Sequence, residues 1–415
     1  MEGSFGREYA TTMNNLKANF GYAEIFATYW MAYCMIASFS SVFLLANGYS
    51  NTEIGILIAI GNLVSVAIQP LVANMADQSE RVNVFDISSV MTILLVIAMG
   101  ILLVFHGRSL MVFCTYLLMF AVHAAMQPLL NSMNATLSYR CITVDYGICR
   151  AMGSLFYAIM SAILSWMVVR FTELSLPMAG AVATVLLLAG LFYLNRLYNA
   201  ARSGAHSQGE DGEGEEGAIQ DTPITLGAFV RRHRVFLVLT FGIFLIYYDH
   251  QIINFFMLQL FKNVGGGSTE MGTYYSIMTV LEVIPLFGFT WLTKRFSTSF
   301  LLKLATIGFV LRAVTMQLAG TPTMLLLTLV VHPIGFPLFL PTIVRYIGEI
   351  MDAREAVRGQ SLYVMVITVS GVVASATGGW VLDTLGAGAL LWICTVTCVL
   401  GAAVIMPLVE KARKE

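Results

Sequence analysis

Twelve mostly apolar stretches of about 20 residues, the length that carries an α-helix across a bilayer, follow one another along the chain. They lie near 21–46, 52–75, 84–105, 109–133, 146–170, 177–196, 235–261, 270–293, 297–319, 322–345, 359–382 and 387–408. Gly, Pro, Asn or clustered charge closes each one. A water-soluble fold cannot cover this much apolar surface: 58% of the 415 residues are hydrophobic and 11% charged, with a mean hydropathy of +0.78. Lipid must therefore solvate much of the exterior, which excludes a soluble enzyme or a secreted disulfide scaffold. A net charge of −1 offers no basic face to a nucleic acid. Cys34, Cys114, Cys141, Cys149, Cys394 and Cys398 sit in or beside apolar runs without a Cys-x-x-Cys pair, so they are expected to be small buried residues rather than disulfides or metal ligands. No metal, cofactor or catalytic residue is expected.

An even number of spans puts both termini on one side, and basic residues are retained in the cytoplasm. With cytoplasmic termini, 18 of the 23 Lys and Arg fall on that side and only Arg108, Arg170 and Lys262 outside. The first run follows Lys17 and has no small-residue cleavage site, so no cleaved signal peptide is expected. The organisation anticipated is a cytoplasmic segment 1–20, a six-helix bundle 21–197, a cytoplasmic linker 198–234, a second bundle 235–408 and a tail 409–415. Glu210, Asp211, Glu213, Glu215 and Glu216 make the linker too acidic to pack. Leu226–Arg234 is expected to be an amphipathic helix that turns Arg231, Arg232 and Arg234 toward lipid headgroups.

The halves resemble each other. Thr52-Glu53-Ile54-Gly55 and Pro70-Leu71 in run two match Thr269-Glu270-Met271-Gly272 and Pro285-Leu286 in run eight. Val122-His123 and Pro128-Leu129 in run four match Val331-His332 and Pro337-Leu338 in run ten. Each match joins run n to run n+6 in the same orientation, a parallel duplication. The loop after run two, Ala73-Asn74-Met75-Ala76-Asp77-Gln78-Ser79-Glu80-Arg81, resembles a reduced form of the Gly-x-x-x-Asp-Arg-x-Gly-Arg signature of the major facilitator superfamily. The resemblance implies an all-α membrane protein of two pseudo-symmetric six-helix bundles, with Asp77 and Arg81 in a cytoplasmic gating latch.

An ionised side chain at the centre of a spanning helix costs roughly 2.5–3.5 kcal/mol on insertion scales. Asp249 is fourteen residues into run seven, Glu282 twelve into run eight and Arg312 fifteen into run nine, so all three are expected near the midplane. His332 and His250 add to this level. One reading is a buried charge pair that locks helices together. The count argues further: two acids facing one arginine leave one acid able to take a proton, and His332 titrates near neutrality in its free form. Asp249 and Glu282 remain equal candidates for that role. The first half holds Arg150 and Glu24 near helix ends, polar Asn62, Gln69, Gln127, Asn131 and Asn134, and the aromatics Tyr29, Trp30, Tyr33 and Phe39. Tyr247, Tyr248, Phe255 and Phe256 stand at corresponding places in run seven.

Asp249-His250-Gln251-Ile252-Ile253-Asn254-Phe255-Phe256, Glu282, Arg312, and His332 with Pro337 are similar to the second half of the oligosaccharide/proton symporters typified by lactose permease. Tyr146-Gly147-Ile148-Cys149-Arg150-Ala151-Met152-Gly153 is similar to that family's helix-five segment. The resemblance implies proton coupling through Asp249, Glu282, Arg312 and His332, and substrate contacts from Arg150, His250, Asn254 and Glu282; Asn131, by its donor and acceptor groups, and Tyr33, by its ring, are further candidate substrate contacts. The family's helix-ten glutamate corresponds to Gly335, its helix-four glutamate to Asn131 or Ser132, and its helix-eleven lysine has Ile367 nearest, so lactose is not implied. The expected function is proton-coupled uptake of a small polar solute by a monomer in the cell inner membrane, its partners being the solute, H⁺ and the lipid bilayer. Proton-coupled efflux of amphipathic compounds and a non-transporting sensor or scaffold are the alternatives. Val264-Gly265-Gly266-Gly267-Ser268 lacks the lysine of a phosphate-binding loop, which argues against an ATP-driven pump.

Overall fold

A computed structural model of the protein describes residues 2–78, 83–206, 229 and 231–412. Among these residues there is no strand. The first run forms α1 (Glu2–Tyr33), a π-helical turn (Cys34–Ser38) and α2 (Ser40–Ala46), bent by 46°. Then come α3 (Asn51–Gln78), α4 (Val84–Val104), α5 (Leu110–Ser138), α6 (Tyr146–Arg170) and α7 (Ser175–His206). The second set is α8 (Arg234–Asn263), α9 (Ser268–Arg295), α10 (Thr298–Leu318), α11 (Pro322–Leu327), α12 (Phe336–Ile350), α13 (Ala353–Thr384) and α14 (Gly386–Ala412). Among the described residues, ten helices are long and apolar enough to cross a membrane, and twelve spans result when each bent pair counts as one. The acidic residues 210–216 and Leu226 lie outside the described residues.

Polar residues at the run boundaries set the helix starts. Asn83 accepts from the N–H groups of Phe85 and Asp86, while Asp86 accepts from the Asn83 N–H, a reciprocal cap opening α4. Ser109, Asp145, Ser297 and Thr321 cap α5, α6, α10 and α11 more simply, each side chain accepting from one N–H of the first turn. The tenth run is not one helix. Between α11 and α12 it passes through two 3₁₀ turns, Thr328–Val330 and His332–Ile334, with a 41° bend. Pro333 and Pro337 lack the N–H that would continue an α-helix there. Gly335 takes a non-helical conformation, and Gly308 of α10 runs so close that a Cβ there would lie 2.6 Å from the Gly335 nitrogen.

Contacts divide the chain into two compact units, Met1–Phe39 with Gly61–Asp221 and Ser40–Ile60 with Thr222–Glu415. In the first, α1 packs on α6 and α7, and α4 on α5 and α7. In the second, α8 packs on α13 and α14, and α10 on α12 and α14. Counted as spans, these are the same four pairings displaced by six, so the short sequence matches between halves reflect a repeated packing plan. Bare backbone makes close crossings: Gly242 and Gly401 set α8 against α14. Within the second unit the Asp383 carboxylate, at the end of α13, accepts from the backbone N–H groups of Asn51 (3.2 Å) and Thr52 (2.7 Å). It also accepts from the Asn51 amide (2.8 Å) and the Thr52 hydroxyl (2.6 Å). This caps the first turn of α3, and Gly55 and Gly379 let the two backbones touch. Not every cysteine is buried as expected: Cys114 and Cys141 are exposed. Cys141 occupies a turn with φ of 56°.

Candidate functional site

The midplane charges of the second half converge. Arg312 of α10 donates from Nη2 to Asp249 Oδ2 of α8 at 2.8 Å. Its Nη1 lies 3.4 Å from Nδ1 of His250 and 3.4 Å from Nδ1 of His332. A guanidinium has donors only, so both Nδ1 atoms must accept and each imidazole carries its proton on Nε2. Nε2 of His332 then donates to Glu282 Oε1 of α9 at 3.3 Å. The result is a continuous line from Asp249 through Arg312 and His332 to Glu282, with neutral imidazole as its link.

Burial differs sharply along this line. The Asp249 and Arg312 side chains are each 2% exposed and His332 is 0% exposed, whereas Glu282 is 22% exposed. Asp249 and Arg312 are therefore a sealed neutral pair, and Glu282 is the acid with an open side. Aromatic rings close the pair in. His250 stacks on Phe336 with centroids 4.0 Å apart, and the Arg312 guanidinium sits 5.4 Å from the Phe309 ring centre. The bend after Gly335 makes the stack, because Phe336 opens α12 where the regular helix has stopped. Among the described residues Arg312 Nε is buried without a hydrogen-bond partner.

The first unit holds the other expected residues. Arg150 of α6 lies 4.4 Å over the Trp30 ring and 5.9 Å from Phe26, so it is a stacked cation rather than a side chain simply reaching the interface. Gly153, one turn on, leaves room for Trp30. Tyr33 packs edge-on against Trp30 at 5.0 Å. Asn131 accepts from the Tyr146 hydroxyl at 3.2 Å, and Tyr146 packs on Phe26. Arg150 and Tyr33 thus share one aromatic patch on α1 and α6, which Asn131 of α5 joins through Tyr146, while His250, Asn254 and Glu282 belong to the second unit. Glu24 presses against Gly190 of α7, one carboxylate oxygen buried without a partner among the described residues. The Asp77 side chain and all of Arg81 lie outside the described residues.

Two features escaped the sequence. Tyr29 donates to the His123 carbonyl and His123 Nε2 donates back to the Tyr29 carbonyl, both at 3.1 Å, with the rings stacked 4.1 Å apart. Ser38 and Tyr157 share a hydroxyl bond of 2.8 Å beside the π-helical turn. His123 carried a signal, since it is the repeat partner of His332. The π-helical turn Cys-Met-Ile-Ala-Ser carried none.

No curated protein sequence matches the chain significantly. Among solved structures, the nucleoside transporter NupG is similar at a TM-score of 0.72 and 14% identity, covering 97% of this chain and 99% of that one. The peptide transporter POT is similar at 0.66 and 13%, covering 96% and 95%. A bacterial homologue of the human lysosomal transporter Spinster, inward-facing and unoccupied, is similar at 0.59 and 14%, covering 97% and 94%. At these identities the likeness is one of fold. The sequence profile of the MFS_1 like family, however, matches residues 22–408; the chain belongs to that family and is a membrane transporter of the major facilitator type, not an enzyme.

Proposed function

We propose that the protein imports a small polar solute, a sugar, oligosaccharide or nucleoside-like molecule, in symport with H⁺. It does so as a monomer in the cell inner membrane with both termini in the cytoplasm. The observation that carries the coupling is the leftover acid. Asp249 neutralises Arg312 at 2.8 Å, so Glu282, 22% exposed and tied to the same arginine only through neutral His332, is the group that takes and gives up the proton. Protonation of Glu282 removes the charge that His332 Nε2–H bonds to, and the weakening of that contact links proton occupancy to the position of α9 relative to the α11–α12 break. In the first bundle Arg150, Asn131 and Tyr33 contact the solute, and in the second His250, Asn254 and Glu282. Asp77 and Arg81 form a cytoplasmic gating latch.

A nucleoside-like cargo gains support from the fold shared with NupG, described as a nucleoside transporter, and from the Trp30–Arg150 stack, whose planar faces suit a base or a sugar ring. Proton movement on adding uridine, adenosine, galactosides and aromatic acids to proteoliposomes tests the proposal. One of the nucleosides or sugars is expected to alkalinise the outside solution, and Glu282→Gln is expected to abolish that signal and uphill uptake while leaving downhill equilibration. The reading fails if no solute moves protons and Glu282→Gln takes up solute like wild type under an imposed pH gradient.

A further inference from the structure

The spans that open the two halves are both broken, at one place in the repeat. In the first, the π-helical turn ends at Phe39, whose N–H reaches back five residues to the Cys34 carbonyl at 2.9 Å. In the second, α8 has a single non-helical residue, Phe256, with φ −123° and ψ 19°. Phe39 and Phe256 are separated by 217 residues, as are Thr52 and Thr269. A break of this kind strips carbonyl groups of their regular helical partners, and the bilayer interior supplies no water in exchange.

A buried tyrosine serves each break. The Tyr116 hydroxyl, from α5, lies 3.3 Å from the Met35 carbonyl and 3.0 Å from that of Ile36. The Tyr275 hydroxyl, from α9, lies 3.1 Å from the Ile253 carbonyl and 3.0 Å from that of Asn254. One hydroxyl proton shared by two successive carbonyls can follow either as the helix end turns. Ile36 and Ile253 are again 217 apart, so the two arrangements correspond at that carbonyl, although the tyrosines come from different helices of their sets. The next carbonyl in α8, that of Phe255, accepts from Ser41 at 2.6 Å. Ser41 stands just past the first break, where the chain leaves the first compact unit and residues 40–60 join the second.

We propose that Tyr116 and Tyr275 are positioning residues for transport: their hydroxyls hold paired hinges that seat the hairpin 40–60 on α8 and α13. Without a hydroxyl the exposed carbonyls regain partners by straightening the helix, which draws the hairpin away from its Ser41 and Asp383 contacts. The inference rests on the transporter fold and not on proton coupling.

The test is pulsed electron–electron spin resonance on protein in lipid nanodiscs, with labels at Ala46→Cys on the hairpin and Leu385→Cys beyond α13, and with Cys114 and Cys141 replaced by alanine. Tyr116→Phe and Tyr275→Phe are each expected to raise the population at longer distance by about three- to tenfold, the effect of one ordinary hydrogen bond on an equilibrium. Tyr22→Phe is the control, because its hydroxyl bonds the Leu130 carbonyl at 2.8 Å in unbroken helix; it is expected to leave the distribution unchanged. Unaltered distances in both hinge variants, or an equal shift in Tyr22→Phe, overturn the proposal. Should a hinge variant not fold, Ser41→Ala removes a smaller group from the same linkage, and a wild-type distribution in that variant overturns it as well.

Discussion

Replacing Asp249 by asparagine leaves the shape of the Arg312 pocket and removes its charge. The guanidinium, 2% exposed, then faces two neutral imidazoles and an amide. Unit charges 4 Å apart attract by about 4 kcal/mol at the effective dielectric of a protein near 20, and removing one partner of a buried pair costs about 3–5 kcal/mol in measured cases. The carbonyl of the introduced amide still accepts one hydrogen bond, worth about 1 kcal/mol, so the net loss is on the order of 2–4 kcal/mol. For a unit of this size that corresponds to a melting temperature lower by roughly 5–10 °C. Arg312→Gln strands Asp249 in turn and is expected to cost a similar amount.

The double variant separates charge from shape. With Asp249→Asn and Arg312→Gln combined no charge is buried at this pair, although the shorter glutamine does not span the distance that Arg312 bridges to position 249. The double variant is expected to melt above both single variants, with a coupling of at least about 2 kcal/mol. Thermal melting in detergent, followed by intrinsic fluorescence, measures all four corners of the cycle. Additive losses, or singles within a degree of wild type, would refute the sealed-pair reasoning and with it the assignment of Glu282 as the free acid.

Other substitutions probe the frame around this cluster. Asp383→Asn removes the anion that caps α3 and is expected to cost about 1–2 kcal/mol locally, seen as faster amide hydrogen exchange at Asn51 and Thr52. Gly401→Val places a Cβ 2.8 Å from the Gly242 carbonyl and 2.7 Å from Ile246, so the α8–α14 crossing must open and the melting temperature must fall; Gly288→Ala, whose Cβ would meet nothing within 4 Å beyond its own stretch of helix among the described residues, is expected to melt no lower than wild type. His123→Phe keeps the ring stack on Tyr29 but loses the 3.1 Å bond to its carbonyl, and a loss of about 1 kcal/mol in the same melting assay is expected.

The sequence exposed whatever follows from spacing alone. Asp249, Glu282 and Arg312 announce themselves by depth, since charge is costly at the centre of a span, and the repeat shows in pairs such as Thr52 with Thr269. What spacing does not carry is direction. Asp249 and Glu282 lie at one level, and which of them meets Arg312 depends on how α8 and α9 turn about their axes, which is set by crossings such as Gly242 on Gly401. The break in the tenth span was half legible, as Pro333, Gly335 and Pro337 each disfavour helix. The break in the first was not, because Cys34–Ser38 contains neither Gly nor Pro and the bend depends on a hydroxyl eighty residues away, that of Tyr116 on the Ile36 carbonyl.

The paired histidines show how one duplicated plan came to hold two chemistries. His123 and His332 occupy corresponding places, each before a proline of its span, and each is almost fully buried. In the first unit the contacts of His123 are neutral: its Nε2 meets a carbonyl, and Tyr29 covers its face. A ring in that setting can only fasten α1 to α5. In the second unit the proline follows His332 directly, the helix is broken around it, and the ring sits between a cation and a carboxylate. There the same imidazole hydrogen-bonds Arg312 of α10 on one side and Glu282 of α9 on the other. The broken span is therefore what turns a structural histidine into a link, and it explains why the acid proposed to carry the proton lies in the half whose tenth span is interrupted.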